Sequence, residues 1–524
     1  MYDILIKNGL VIDGTNSLPS VKDIAINQDS IAEIAENIPV GKALVVIDAV
    51  NKFVAPGFID VTSHSDTTWS IFDYPGQESM LTQGVTTIVG GNCGSSLAPL
   101  GNNEAIKSIQ KWTDLSKINT NWSSVSEFLH ELSSRQLGVN FGTLLGHGTM
   151  RRGIIGDAIR PLNIEEIEKI KYLTDQGMKD GAFGVSTGLG NSHEQAASAD
   201  EVMNFVRLLK AYGGIYKPHL RSEGREGLLA AINEVVRIGR ETEVPVCISH
   251  LKAIGRSEWS YIGKTLEMLK NAEEDGVTIR FDIFPYLRTG SHLYQLLPRW
   301  SREGGFAKIF ERIKSIETRE KVISDLKRYT LHYDRIIVAS AKNPAFAGKT
   351  ILQIAISTNL RPEEALVELL LINEGRISIF NKNISAKNLL RLILSPNSMI
   401  ATDGAGYSLE NRKTGNLVHP RSFGTFVHFL HHFVRQEGRL TWEQAITKIS
   451  SLPATTLGIK NRGFLKKKFF ADVVVFDPMK LADTSTFRSP YSYSTGIDWV
   501  VVNGKIAVSN GEITSSRAGR VLKK

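Results

Sequence analysis

Six residues that can ligate a metal ion or carry protons each stand at the end of an apolar, β-branched run. They are His64, Cys93, His147, His219, His250 and Asp403. Imidazole and thiolate groups together suit zinc, whereas magnesium and calcium prefer oxygen ligands. The six residues lack the short spacing of a zinc finger, so they can meet only if the fold gathers the strand ends that carry them. The sequence therefore predicts a zinc site that is assembled by the fold.

The apolar runs alternate with amphipathic helix patterns, and this alternation indicates an α/β protein built on a parallel (β/α)8, TIM-like barrel. One helix pattern covers residues 164–180, where apolar residues recur at helical spacing. Reactive side chains of such barrels lie at the carboxyl ends of the strands, where the six residues fall. The predicted strands cover residues 53–61, 86–93, 139–147, 182–189, 214–221, 244–252, 278–286 and 398–404.

The two ends of the chain differ from this pattern. Residues 1–52 and 463–524 contain short alternating β segments, which we expect to form one small β-sandwich domain from both ends. The barrel, which carries the predicted metal site, would then span residues 53–462. The gap between the last two strands is too long for one crossover, and we expect a lid-like insertion within about residues 287–345.

Composition and charge limit the classes of partner that we expect the protein to bind. The 524 residues carry a net charge of +8 without a concentrated basic stripe, so no nucleic-acid partner is predicted, and an anionic small-molecule substrate fits the mild positive field. No apolar run reaches 18 residues and the first residues lack a signal-peptide pattern, so no membrane partner is expected. Two cysteines cannot form a disulfide framework, which favours a reducing, cytoplasmic environment.

Several of these residues have a simpler interpretation. Cys247 lies within an apolar run and is expected to be a core residue. His147 is equally compatible with a site-lining and a structural role, and Asp403 in Thr-Asp-Gly with a turn. His428 and its two neighbouring histidines lie in a helical stretch and are expected to pack or face solvent.

Six motifs in the chain resemble the N-acyl-D-amino-acid deacylase (D-aminoacylase) family of the amidohydrolase superfamily. They run in family order across nearly the whole chain, and the pair Asn-Cys-Gly and His-Pro-Arg-x-x-Gly-Thr-Phe is specific. Most amidohydrolases place a carboxylated lysine where this family places its cysteine. The motifs are Pro-Gly-Phe-Ile-Asp at 56–60, Gly-Asn-Cys-Gly at 91–94, Lys-Pro-His at 217–219, Ser-His-Leu-Lys at 249–252, Thr-Asp-Gly at 402–404 and His-Pro-Arg-Ser-Phe-Gly-Thr-Phe at 419–426.

The resemblance implies zinc-dependent hydrolysis of N-acyl-D-amino acids to a carboxylate and a D-amino acid. It implies one tightly bound zinc ion held by Cys93, His219 and His250, with His64 as a ligand of a second, doubtful metal site. Asp403 would be the catalytic carboxylate. The implied substrate-binding residues are Arg421, which would bind the α-carboxylate, and Tyr286, Ser291 and Lys252.

Thr62 departs from the family pattern, because it stands where the family has the first histidine of a His-x-His pair. A neutral hydroxyl is a poor zinc ligand, so the second metal site should be weak or absent. Two alternatives therefore stay open. One is another amidohydrolase activity, on a cyclic amide or a dipeptide, and the other is a homologue with impaired catalysis.

Overall fold

Within the residues that the structure describes, eight parallel strands close into the barrel that the sequence predicts. The computed structural model describes residues 1–102, 105–106, 115–116, 118–191, 193–224, 227–329 and 331–524. The ring closes through a bridge between Ser63 and Gly404 and a hydrogen bond of 2.6 Å from the backbone N–H of His64 to the carbonyl of Gly404. The strands are β1 Phe58–Asp60, β2 Val85–Gly90, β3 Asn140–Thr143 (resumed at Leu145–Gly146), β4 Gly184–Gly188, β5 Ile215–His219, β6 Val246–Ile248, β7 Ile279–Ile283 and β8 Ser398–Ile400.

Helices return the chain between the barrel strands. Ile164–Asp180 has the bounds that the sequence pattern predicts: it starts at a capping box between Asn163 and Glu166 and ends at Gly181, whose φ is 114°. The other α-helices outside the insertion, within the ranges given above, are Ser70–Asp73, Glu78–Leu81, Val125–Ser133, His147–Ile155, Ala199–Val206, Leu209–Tyr212, Leu228–Thr242, Ile262–Glu274, Ala386–Leu394, Arg421–His428, Trp442–Ile449 and Ser451–Leu457. A π-helix, Phe429–Gln436, continues directly from Arg421–His428. Across the described ranges, none of the helices joins a membrane-spanning length to a sufficiently apolar composition.

Strands from both ends of the chain share one nine-stranded sheet. The two ends are joined by the antiparallel pairing of Phe53–Pro56 with Val473–Phe476 and also by a bridge between Ser30 and Phe470. The remaining strands of this sheet are Tyr2–Val11, Ser20–Asn27, Ser30–Ala35, Ala43–Asp48, Ile497–Val502, Lys505–Ser509 and Glu512–Ile513. Its own buried apolar cluster includes Ile6, Ile24 and Val475.

The first predicted barrel strand, residues 53–61, is in fact two strands. Phe53–Pro56 belongs to the end sheet, and only β1 belongs to the barrel. Gly57 separates them: its N–H donates to the carbonyl of Asp472 at 2.8 Å, and a Cβ at this position would lie 2.1 Å from Thr86 Oγ1. A side chain at position 57 would collide with Thr86, so the chain can pass from the end sheet to the barrel here only because this residue is a glycine.

A second sheet forms the insertion between β7 and β8. Strand Ile377–Lys382 lies between Arg288–His292 and Ile336–Ala341, antiparallel to both. The helices of the insertion pack over an apolar cluster that is separate from the barrel core. They are Arg299–Arg302, Gly305–Lys314, Ile316–Arg328, Ile351–Ser357 and Pro362–Ile372. Because the central strand comes last, we propose that this unit spans about residues 287–382, beyond the limit of 345 expected from the sequence.

A buried polar network joins the end sheet to the barrel. Asp472 accepts hydrogen bonds from Asn140 Nδ2 at 3.0 Å and from the backbone N–H of Asn503 at 2.8 Å, and it forms a close ion pair with Arg462. Both partners of the ion pair are almost fully buried, with side-chain exposures of 2% and 4%. The loss of one partner would leave the other charge in an apolar environment.

We expect Asp472→Ala to lower the free energy of unfolding by about 3–5 kcal/mol, the usual cost of breaking a buried ion pair. Urea unfolding, followed by circular dichroism, measures the free energy of unfolding of the variant and of the unchanged protein. Asp498→Ala, in the same sheet, removes a partly exposed pair with Lys52 and should cost less than about 1 kcal/mol. Equal losses in the two variants would contradict the role of the network.

Candidate metal centre

Cys93, His219 and His250 meet at the carboxyl ends of β2, β5 and β6. Cys93 Sγ lies 3.3 Å from His250 Nε2, and the two imidazole rings are 4.6 Å apart and nearly perpendicular. One donor atom from each residue lies within 4.8 Å of the other two, which is close enough for a single ion. The structure thus brings together the three residues predicted to hold zinc.

His64 and Asp403 form a second group that shares Cys93. His64 Nε2 lies 3.1 Å from Asp403 Oδ1 and 3.9 Å from Cys93 Sγ. The two groups are therefore adjacent, with the thiol between them. Asp403 is placed beside the predicted metal ligands, as the sequence analysis expects.

Three of these residues adopt a left-handed backbone, with φ of 54° at Cys93, 37° at His250 and 48° at Asp403. Such conformations are unfavourable for residues with a Cβ and cluster at functional sites. Around Cys93 the backbone is crowded as well. A Cβ on Gly91 would lie 2.0 Å from the carbonyl oxygen of Leu144, and one on Gly94 would meet the Glu194 carboxylate at the same distance. The glycines flanking Cys93 are thus required for it to reach the centre.

The charges at the centre stabilise one another. Burial opposes ionisation of the Cys93 thiol, but the charge of His250 and hydrogen bonds from His219 and His64 hold its pKa well below the usual range. Burial likewise opposes protonation of His64 and His250. The Cys93 thiolate and the Asp403 carboxylate nevertheless raise the pKa of His64 to about 9 and that of His250 to about 10. Metal ligands bind in the deprotonated form, so a dication could replace these imidazole protons.

The donor set fits zinc. It offers one thiolate and two imidazoles, the ligand types that zinc prefers. His219 Nδ1 is buried and has no hydrogen-bond partner among the described residues, so one ring nitrogen of this residue is available for a further ligand.

Glu223, which the sequence analysis does not single out, orients His250. Glu223 Oε1 lies 3.0 Å from His250 Nδ1, and its Oε2 lies 4.0 Å from His219 Nε2. Carboxylates behind metal-binding histidines fix the ring and its tautomer. The available signal was position, because Glu223 follows His219 by four residues in the loop after β5.

Lys252 lies beside Glu223 in the same cluster. Its Nζ donates to Glu223 Oε1 at 2.6 Å and lies 2.8 Å from His250 Nδ1. The ammonium also lies 5.9 Å from the centre of the Phe284 ring. Contact of Lys252 with substrate stays a prediction, since its polar contacts in this structure are with the histidine and its carboxylate.

Arg421 connects the centre to the insertion. Its Nη1 donates to Asp403 Oδ2 at 2.5 Å, and this guanidinium, together with His250, holds the pKa of Asp403 well below its usual range despite burial. Arg421 Nε is buried without a protein acceptor in the described residues. A Cβ on Gly290, in the insertion, would lie 3.6 Å from Nη2. Arg421 therefore keeps donors free next to the predicted base.

Tyr286 and Ser291 lie further from this group. The Tyr286 ring stacks on His428 at 4.6 Å, and a Cβ on Gly424 would lie 3.1 Å from its hydroxyl. Ser291 makes no side-chain hydrogen bond to Arg421 or Asp403 in the described part of the chain, and strand alternation turns it away from the face of Gly290. Their roles in substrate binding stay predictions.

A polar layer that the sequence analysis missed lies beneath the metal ligands. Lys217 Nζ donates to Thr62 Oγ1 at 2.7 Å and to Ser249 Oγ at 3.1 Å, and it forms a closer contact with Asp282. Thr62 Oγ1 in turn donates to Asp282 Oδ2 at 2.7 Å. The side chains of Lys217 and Asp282 are fully buried. Thr62 is therefore one member of a buried charged network.

Three other histidines, His147, His428 and His432, lie apart from the centre. His147 is completely buried between Glu194, at 2.8 Å from Nδ1, and Glu201, at 3.2 Å from Nε2, which gives it a structural role. His428 and His432 face Asp483 in a separate, partly exposed group, close enough to bind an ion of their own. Cys247 is buried in the core, as expected.

Comparison with known proteins matches this architecture. The amidohydrolase family profile matches residues 334–507. The D-aminoacylase of Alcaligenes xylosoxydans xylosoxydans is 30% identical over 523 residues, which cover 99% of this chain and 97% of that protein. The N-acyl-D-glutamate deacylase of the same organism is 28% identical over 534 residues, covering 100% and 96%.

Among solved structures, the N-acyl-D-glutamate deacylase of Bordetella bronchiseptica, complexed with zinc and a phosphonate inhibitor, superposes with a TM-score of 0.84 at 27% identity, and both chains are covered completely. Sequence and structure therefore agree along the whole length, and the chain belongs to the D-aminoacylase family of the amidohydrolases.

Proposed function

We propose that the protein catalyses the zinc-dependent hydrolysis of N-acyl-D-amino acids. The observation that carries this proposal is the convergence of Cys93, His219 and His250 on the ion pair between Asp403 and Arg421. The relatives support the substrate class. One is a D-aminoacylase, and another is an N-acyl-D-glutamate deacylase whose structure contains zinc and a mimic of the tetrahedral intermediate.

Cys93, His219 and His250 would hold the zinc ion. Three protein ligands form an open site of the kind found in catalytic zinc enzymes. The bound ion supplies Lewis-acid activation of the attacking water and of the scissile carbonyl. Glu223 keeps the His250 ring in the orientation that presents Nε2 to the ion, because it contacts Nδ1.

Asp403 moves the proton. Water adds its oxygen to the acyl carbon, the C–N bond breaks, and the proton lost by water ends on the departing amine nitrogen. Asp403 is the carboxylate positioned to accept this proton and deliver it, since one of its oxygens lies within 4.8 Å of Cys93 Sγ and the other is bound by Arg421. Delivery is required because an amide anion is a very poor leaving group.

Arg421 positions the substrate. Its Nη1 is bound to Asp403, whereas Nε is buried and has no hydrogen-bond partner among the described residues. A planar guanidinium binds a carboxylate through two parallel N–H groups. Arg421 can therefore bind the α-carboxylate of the substrate on one edge while it holds the catalytic carboxylate on the other.

Asp403→Asn should lower kcat by about 10²–10⁴-fold, because the amide cannot act as the general base. Zinc content, measured by elemental analysis, should stay unchanged, since Asp403 is outside the Cys93–His219–His250 group. The exposed Asp200→Asn is the control. Normal turnover by the Asp403 variant would refute its assignment.

Arg421→Lys should raise KM for N-acyl-D-amino acids at least about tenfold, because lysine cannot form the bidentate contact. An otherwise identical N-acyl amine without the carboxylate should be affected much less. Arg435→Lys, whose guanidinium binds backbone carbonyls of Pro478 and Met479, is the matched control. Similar losses for both substrates would show that Arg421 does not read the carboxylate.

Glu223→Gln should weaken zinc binding by about 10–100-fold, the usual effect of removing a carboxylate behind a ligand histidine. Competition with a chromophoric chelator measures the affinity without reference to activity. Glu234→Gln, which removes a carboxylate of similar burial from an ion pair with Arg221, should leave the affinity unchanged. Unaltered affinity in the Glu223 variant would contradict this assignment.

A further inference from the structure

The buried ammonium of Lys217 lies one layer below the metal ligands. Lys217 precedes His219 by two residues on β5, so the two side chains point to the same side, and the hydrogen bond from Lys217 to Thr62 places Thr62 in the layer of Lys217. Successive layers of inward side chains fill such barrels. Lys217 and Thr62 thus occupy the layer directly beneath His219 and His64.

All three ammonium protons of Lys217 have acceptors in this layer. They are Thr62 Oγ1 at 2.7 Å, Ser249 Oγ at 3.1 Å and the Asp282 carboxylate. The ammonium is therefore held at one point in the barrel, since a lysine has three donors and each is used. Lys217 and Asp282 have no exposed side-chain surface, so this cation is not a solvated surface charge.

The ammonium fills the space that a longer residue at position 62 would need. Lys217 Nζ lies 2.7 Å from Thr62 Oγ1, so the ammonium occupies the space immediately beyond the γ position of residue 62. A larger side chain at position 62 would therefore have to fit around the ammonium, which Ser249 and Asp282 also hold in place. The hydroxyl of Thr62 instead joins the ammonium to Asp282.

We propose that Lys217 supplies, as a fixed ammonium, the positive charge that a second metal ion would bring, and that it keeps a second ion out. The inference rests on the proposed zinc-dependent function and deepens it, because it assigns the exclusion of a second ion to one residue of this chain. Like charges repel strongly in a buried environment, so a dication beside His64 would be opposed by the cation beneath it.

His64 then has a different role from the one expected. Without a second ion, its Nε2 remains the neighbour of Asp403 Oδ1 at 3.1 Å. His64 is a positioning residue, which holds the carboxylate that Arg421 contacts from the other side. The departure at Thr62 therefore leaves the single-zinc chemistry intact.

The test is a zinc titration of the full chain with ions counted by elemental analysis after dialysis at rising free zinc. All proteins carry His432→Asn, because His428, His432 and Asp483 could bind a separate ion. The parent protein, which carries His432→Asn alone, should saturate at one zinc per chain. Thr62→His alone should also stay at one, and Thr62→His with Lys217→Ala should reach two.

Matched controls separate the possible results. Thr62→His with Lys448→Ala removes another buried lysine, bound to Ser395 and Ser398 at a distance from the centre, and should stay at one. Two ions in the parent protein, or in Thr62→His alone, would overturn the role of Lys217. No zinc in the parent protein would overturn the proposed function instead.

Folding of each variant is checked by circular dichroism and thermal unfolding. If the double variant does not fold, the parent protein and Thr62→His still decide the question. A folded double variant that binds only one zinc overturns the proposal.

Discussion

The site depends on one constraint: Cys93 must reach the middle of the barrel mouth from a left-handed backbone. Its thiol is the atom shared by the two groups of candidate ligands, so any shift of the loop would disturb both. Asn92 anchors the loop by donating to the carbonyls of Ser63 and Val89 at 3.1 and 2.8 Å. With Gly91 and Gly94 on either side, the segment has little freedom to relax.

Strain of this kind costs about 1–3 kcal/mol per residue and persists only where the surrounding structure enforces it. Cys93, His250 and Asp403 all carry it, and all three lie at strand ends where ladder hydrogen bonds hold the preceding residues. The barrel therefore stabilises a ligand geometry that the isolated segments would not adopt. Binding of an ion offsets part of this cost, because binding and folding are thermodynamically linked.

Much of this could be predicted from the sequence. Apolar runs ending in His, Cys or Asp place Cys93, His219, His250 and Asp403 at strand ends, and the barrel then brings them together. The helix at 164–180 follows from local signals, a cap and a periodic apolar face. The division of residues 53–61 between two sheets could not be predicted, because it depends on the contact of Gly57 with Thr86, a tertiary feature.

Glu223 and Lys217 escaped prediction for a different reason. A glutamate in a loop and a lysine in a strand are common surface residues, and only the folded positions of their partners make them part of the site. Charge balance explains their presence once the fold is known. Glu223 lies against Lys252, and Asp282 against Lys217, so each buried carboxylate has a cation and neither is left uncompensated.

The pairing of Lys217 with Asp282 also explains why a threonine stands at position 62. Considered alone, a threonine in place of a ligand histidine suggests a damaged site. Considered with Lys217, it is the residue that makes room for the ammonium and hydrogen-bonds to it. The two residues form one unit, because the hydroxyl of Thr62 accepts a hydrogen bond from the ammonium, and an uncharged residue at 217 would leave Asp282 buried without its partner. The departure is therefore better explained as an exchange of one positive charge for another than as a loss of function.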